Sequence, residues 1–192
     1  MSGRPQTPSQ TIGPFFHDAL MRYGVDQIDP DAEAGAPIVV VGSVLDGAGD
    51  IVSDAMVEVW QADGSGRYRH PADGRVGDVP SSFIGFGRVA STDEGTFRVS
   101  TAMPGTVPGP NGSIQAPHLS LQIFARGLLD RLCTRIYFPD LAENAADPVL
   151  GQVPEERRDT LIARPEGQED GASIYRFDVV LQGEGETVFF DV

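Results

Sequence analysis

The chain never runs far without a break. From residue 38 onward its apolar residues come in short alternating runs, separated by glycines and prolines that are spread along the sequence and not pooled in one linker. Alternation with period two places every second side chain on one face of a strand, so this pattern predicts many short strands joined by turns. Residues 38–45 (IVVVGSVL), the turn DGAGD and residues 55–62 (AMVEVWQA) read as strand, turn, strand. Residues 86–91, TDEG and residues 96–101 read the same way. Residues 118–125, 131–138, 173–181 and 186–191 complete at least eight strands, which favours an all-β sandwich over alternating βαβ units.

Helical signal is confined to residues 154–164, where Pro154 sits near the first helical position, Glu155 and Glu156 occupy the first turn and Arg157 and Arg158 follow. One or two short surface helices are expected. The segments 61–82 and 103–117 are long, Gly- and Pro-rich connections, and long loops on a rigid sandwich are where binding residues tend to sit. A chain of 192 residues with 40% hydrophobic content suits a single domain spanning 1–192.

Charge and cysteine content narrow the function classes. With 28 acidic against 14 basic residues the net charge is −14, which repels nucleic-acid backbones and anionic lipid, so neither is an expected partner. An anionic ligand would need a dedicated cation. Cys133 is the only cysteine, which excludes an intrachain disulfide and a thiolate cluster and fits a reducing, cytoplasmic compartment. The N-terminal stretch has no unbroken apolar region, and no segment approaches the ~18 apolar residues of a membrane span.

Few residues could carry chemistry. The histidines are His17, His70 and His118, none at a spacing that puts two imidazoles on one ion from a single element, so a metal would require all three to converge. A ferric ion could take phenolates from Tyr23, Tyr68, Tyr137 or Tyr175; Tyr68, in WQADGSGRYRH, could equally pack its ring. In QAPHLSLQIFARG, Leu119, Leu121 and Ile123 face one way while His118, Ser120, Gln122 and Phe124 face the other. His118 and Ser120 are therefore neighbours, though not in a nucleophile elbow. No phosphate-binding loop is present, and the glycines of FIGFGR precede a strand. Arg126, at the end of the same run, could hold a carboxylate bidentately or form a surface ion pair. Gly13, Pro14, Phe15 and Phe16 could wall an aromatic ligand or pack as an N-terminal arm.

Motifs along almost the whole chain carry a resemblance: TPSQTIGPFF, VEVWQADGSGRYRH, FGRVASTDEGTFRVSTAMPG, APHLSLQIFARG, TRIYF and YRFDVVLQGEGETVFFDV. With them the chain is similar to the intradiol ring-cleavage dioxygenases, and among these to the alpha chains of members built from alpha and beta chains. The resemblance implies a β-sandwich in a large hetero-oligomer, with residues 1–36 as an arm on the partner. It implies a non-haem Fe(III) in the beta subunit and O2-dependent cleavage of 3,4-dihydroxybenzoate to 3-carboxy-cis,cis-muconate in cytoplasmic aromatic catabolism.

Departures from the family pattern identify the chain type. Iron-bearing chains hold the metal with two tyrosines and two histidines. Here Tyr68 matches the first tyrosine and His118 the first histidine, while Val107 and Ser120 replace the other two and Gln115 replaces an arginine beside the substrate. Two donors do not define a ferric site, so no metal is expected on this chain. The resemblance assigns it one wall of the partner's active site, with Gly13, Pro14 and Phe15 against the substrate ring and Arg126 on the carboxylate. The alternative is a transthyretin-like binding module without chemistry, which leaves GRYRH and QGEGETVFF unexplained.

Overall fold

The computed structural model describes residues 20–21, 24–75 and 79–191. Eleven strands follow in order: β1 (Pro37–Leu45), β2 (Met56–Trp60), β3 (Phe86–Ala90), β4 (Thr96–Ala102), β5 (Val107–Pro108), β6 (Ile114–Gln115), β7 (His118–Phe124), β8 (Leu132–Tyr137), β9 (Arg164–Glu169), β10 (Ala172–Arg176) and β11 (Val179–Val180). One sheet runs β3-β2-β7-β8, antiparallel throughout. In the other, β4 lies antiparallel on one side of β1, β10 and β11 follow one another in parallel along its other side, and β9 pairs outside β10. The expected all-β sandwich is the fold observed.

The two sheets meet over a core that the alternation predicts. Ile38, Val40 and Val44 of β1 and Phe97 and Val99 of β4 pack with Val57 and Val59 of β2 and Leu119, Leu121 and Ile123 of β7. Each such side chain, once buried, contributes about 1.5–3 kcal/mol. On β7 the alternation is complete: Leu119, Leu121 and Ile123 are buried in the core, leaving Ser120, Gln122 and Phe124 half-buried on the outer face.

Three readings need correction. Residues 173–181 form two strands, not one, because the chain jogs at Phe177 and Asp178: the Phe177 amide donates to the Val41 carbonyl and Asp178 Oδ1 accepts from the Ser43 amide at 3.0 Å. Gly42 permits the jog, since a Cβ there would lie 1.9 Å from the Phe177 carbonyl oxygen. Residues 186–191 form no named strand: Phe190 bridges to Cys133, the Thr187 amide donates to the Val180 carbonyl and the Thr134 hydroxyl donates to the Val188 carbonyl. The segment 154–164 forms a 3-10 helix, Glu155–Leu161, with Pro154 as an N-cap that makes no side-chain bond. Three further short 3-10 turns, Pro110–Gly112, Ala142–Ala146 and Leu150–Gln152, join it among the described residues.

The sheet edges are mostly covered. The segment before β1 lies along both β3 and β4: Val25 exchanges hydrogen bonds with Arg88, and Ser100 with Asp26 and Ile28, while Ile28 is fully buried in the core. This part of the expected N-terminal arm packs on its own sandwich. Residues 1–19 and 22–23 of the arm, with Gly13, Pro14, Phe15 and His17, lie outside the described residues. On the far side, Ala163 and Phe190 donate backbone hydrogen bonds to Tyr137 and Cys133 of β8.

Candidate functional site

Strand β7 begins at His118, and the turn just after its end carries Arg126. Its neighbours fix what those groups meet: β2 places Trp60 opposite Ser120, and β8 places Arg135 opposite Ser120 and Tyr137 opposite His118. His118 is buried at 5% exposure, with its Nδ1 2.7 Å from the Ala116 carbonyl. A carbonyl only accepts, so Nδ1 carries the proton and Nε2 is the bare nitrogen. Burial, helped by the nearby Arg135 guanidinium, lowers the His118 pKa from 6.5 to about 4, and the ring is neutral at neutral pH.

The loop after β2 brings Tyr68 to this end. Asp63 accepts from the Ser65 and Arg67 amides at 2.9 and 2.8 Å and from the Ser65 hydroxyl, closing a tight turn. Gly66 sits in that turn at φ +77, where a Cβ would meet the Thr106 carbonyl oxygen at 1.9 Å, so the loop packs directly on the segment carrying Val107. The Tyr68 ring then stacks on Trp60, centroids 5.8 Å apart and nearly parallel, and its amide donates to Asp73. Burial raises the Tyr68 pKa, so it stays a phenol. The Arg75 hydrogen bond holds the Asp73 carboxyl well below the usual carboxylate range. Trp60, Tyr68, His70, Asp73, Arg75 and Pro108 line a cavity of about 420 Å³.

Behind these residues lies a network that sequence reasoning missed. Arg135 donates to Gln115 Oε1 at 2.8 Å and sits 3.3 Å from the Tyr137 hydroxyl. That hydroxyl donates to the buried Asp147, whose carboxylate also accepts from the Ala116, Val149 and Leu150 amides. Burial pushes the Tyr137 pKa up to about 12. Registering TRIYF against HLSLQ as a hairpin would have found Arg135, because it falls opposite Ser120; nothing in the sequence around Asp147 marks it as a hub.

At the other end of β7, Arg126 lies in the turn after the strand with its side chain 71% exposed, and Nε donates to Asp54 Oδ2 at 2.7 Å. Eight residues at ~3.3 Å each put it roughly 25 Å along the sheet from His118. The structure brings Tyr68, His118, Ser120 and Val107 to one end and leaves Arg126 at the other. A larger cavity of about 590 Å³ is lined by Arg164, Arg176 and Asp178, but Asp178 accepts from both guanidinium groups, so its charges are already satisfied.

The dioxygenase family model matches residues 12–183. The protocatechuate 3,4-dioxygenase alpha chain of Burkholderia cepacia is 44% identical over 205 residues, covering all of both chains.

This chain belongs to the intradiol ring-cleavage dioxygenase family.

The protocatechuate 3,4-dioxygenase beta chain of B. cepacia is 36% identical over 95% of this chain and 78% of its own length. A solved dioxygenase domain from Streptomyces sp. SirexAA-E shares the fold at TM-score 0.64 and 22% identity, covering 95% of this chain and 96% of its own. Intradiol dioxygenases use iron, and the residues here do not fit it. The positions that the resemblance matches to the iron ligands hold one phenol, one imidazole, a buried Val107 and the hydroxyl of Ser120, two strong donors short of that ligand set. Arg135 stands within electrostatic reach of both Tyr68 and His118.

Proposed function

We propose that this chain is the alpha subunit of a protocatechuate 3,4-dioxygenase, completing the active site of an iron-bearing beta subunit in a large cytoplasmic hetero-oligomer. The observation that carries this reading is the full-length identity to an alpha chain, in a chain whose own intradiol positions hold valine and serine in place of two ligands. The reaction is the O2-dependent opening of 3,4-dihydroxybenzoate between its hydroxyl-bearing carbons, giving 3-carboxy-cis,cis-muconate. Both oxygen atoms enter the product, and Fe(III) held by the beta subunit supplies the activation.

On this reading the chain binds and orients. Gly13, Pro14 and Phe15 lie against the substrate ring, and Arg126 holds the benzoate carboxylate across the subunit interface. Arg126 is suited to this because its Nε alone is engaged and its side chain stands clear of the sheet. In a chain of net charge −14, such a cation overcomes the long-range field that opposes an anionic substrate.

The test is to purify the chain alone and together with its beta partner, then measure iron, visible absorbance and ring cleavage. The expected result is a colourless, inactive chain alone and a coloured, active complex. Stoichiometric Fe(III) with a tyrosinate-to-iron absorption band on the isolated chain would instead make it a complete dioxygenase with altered ligands.

A further inference from the structure

We propose that Asp54 is the positioning residue for Arg126, fixing its guanidinium so that one edge is presented to the carboxylate of an aromatic acid. The inference rests on the functional reading above and adds a residue to which that reading gives no part. It begins with register. The β2-β7 ladder pairs Met56 with Phe124, and two residues further out on each strand stand Asp54 and Arg126. Ala55 and Ala125, at 0% and 6% exposure, close the core at this end, and Asp54 and Arg126 stand just beyond them. The pair is a cross-strand contact carried one step past the end of the ladder.

The hydrogen-bond pattern says what the contact does. Asp54 is the less exposed partner, its side chain 24% exposed against 71% for Arg126, so it acts as the anchor for an arginine that reaches outward. It binds through Nε, and among the described residues Arg126 has no other partner. A guanidinium offers a carboxylate two paired edges, one formed by Nε with an Nη and one by the two Nη atoms. Engaging Nε occupies the first edge and leaves the second open. An arginine without such an anchor would have to be ordered when substrate arrives, and that ordering would subtract from binding.

The experiment uses the assembled enzyme with Asp54→Ala, Asp54→Asn, Arg126→Ala and the double alanine variant, assayed on 3,4-dihydroxybenzoate and on neutral catechol. Asp54→Ala is expected to raise KM for the acid by about two- to fivefold with kcat unchanged, and to leave catechol kinetics unchanged. Asp54→Asn, which keeps an oxygen acceptor for Nε, is expected to restore most of the loss. Added to Arg126→Ala, Asp54→Ala is expected to do nothing more, because its effect passes through the arginine. An unchanged or lowered KM for the acid in Asp54→Ala, an equal shift for both substrates, or additive losses in the double variant would each overturn the proposal. If Arg126→Ala itself spares the acid, the functional reading falls first; if only Asp54→Ala is silent, the positioning role alone falls.

Discussion

The two ends of β7 carry polar groups of opposite kind. At its start, His118 is buried, neutral and hydrogen-bonded to its own chain, beside a stacked phenol and a guanidinium locked into a network. At its end, Arg126 is charged, extended into solvent and held by one contact. Buried polar groups with satisfied partners stabilise a fold, whereas an exposed cation with unused donors is available to a ligand. The comparison separates two things that one sequence stretch joins: a buried histidine built into the fold, and a rim cation that on the proposed function acts on a carboxylate.

The largest effect should come from the spine that both ends share. Leu121→Ala, at the fully buried centre of β7, is expected to cost about 2–5 kcal/mol in thermal denaturation, disturbing both ends together. A loss confined to one end would mean that the ends are not mechanically joined through β7. Next comes pH. The folded pKa of His118 is about 4 against 6.5 when unfolded, so the unfolded chain binds the extra proton between those values. Stability is therefore full above about pH 6.5 and falls as pH drops toward 4, by up to about 3 kcal/mol. His118→Gln should flatten that part of the stability profile; an unchanged profile would place the titration elsewhere.

Arg126→Ala in the assembled enzyme should raise KM for 3,4-dihydroxybenzoate about 10- to 100-fold while sparing catechol, the size of a charge-assisted bidentate contact. Equal losses on both substrates would make Arg126 structural and erase the contrast between the ends. Smallest is Tyr68→Phe. Its hydroxyl has no hydrogen-bond partner among the described residues, so stability should change by less than about 0.5 kcal/mol and the iron content of the complex not at all. Loss of iron would show that the inner end still holds metal.

Much of this was legible in the sequence where side-chain alternation decides structure. β1, β2, β3, β4, β7 and β8 fall within a residue or two of their expected bounds, because each turns an apolar face to the core. β9 (RPEGQE) escaped because every residue is exposed; β10 makes it a strand by pairing with it, and pairing leaves no apolar signature. The pattern in 186–191 misled for the opposite reason: Thr187 turns inward to bond Val180, while the segment merely rests against β8. At the site, residue chemistry singled out Tyr68, His118 and Arg126 as candidates, and the resemblance added Val107 and Ser120. Arg135, Asp147 and Asp54 act through cross-strand register and loop packing, which a linear pattern does not display.

The covered edges carry a consequence for how such chains find one another. The segment around Val25 and Ile28 takes up backbone groups of Arg88 in β3 and Ser100 in β4, and Ala163 and Phe190 take up the Tyr137 and Cys133 carbonyls of β8. That leaves β9, where Pro165 has no amide hydrogen to offer and Arg164, Glu166 and Glu169 crowd the rim with charge. Joining sheet to sheet along these edges is thus discouraged among the described residues. Backbone pairing would accept any strand, and could not tell a copy of this chain from a related chain of the same fold. Faces and loops can, so the choice between self and partner is left to side chains.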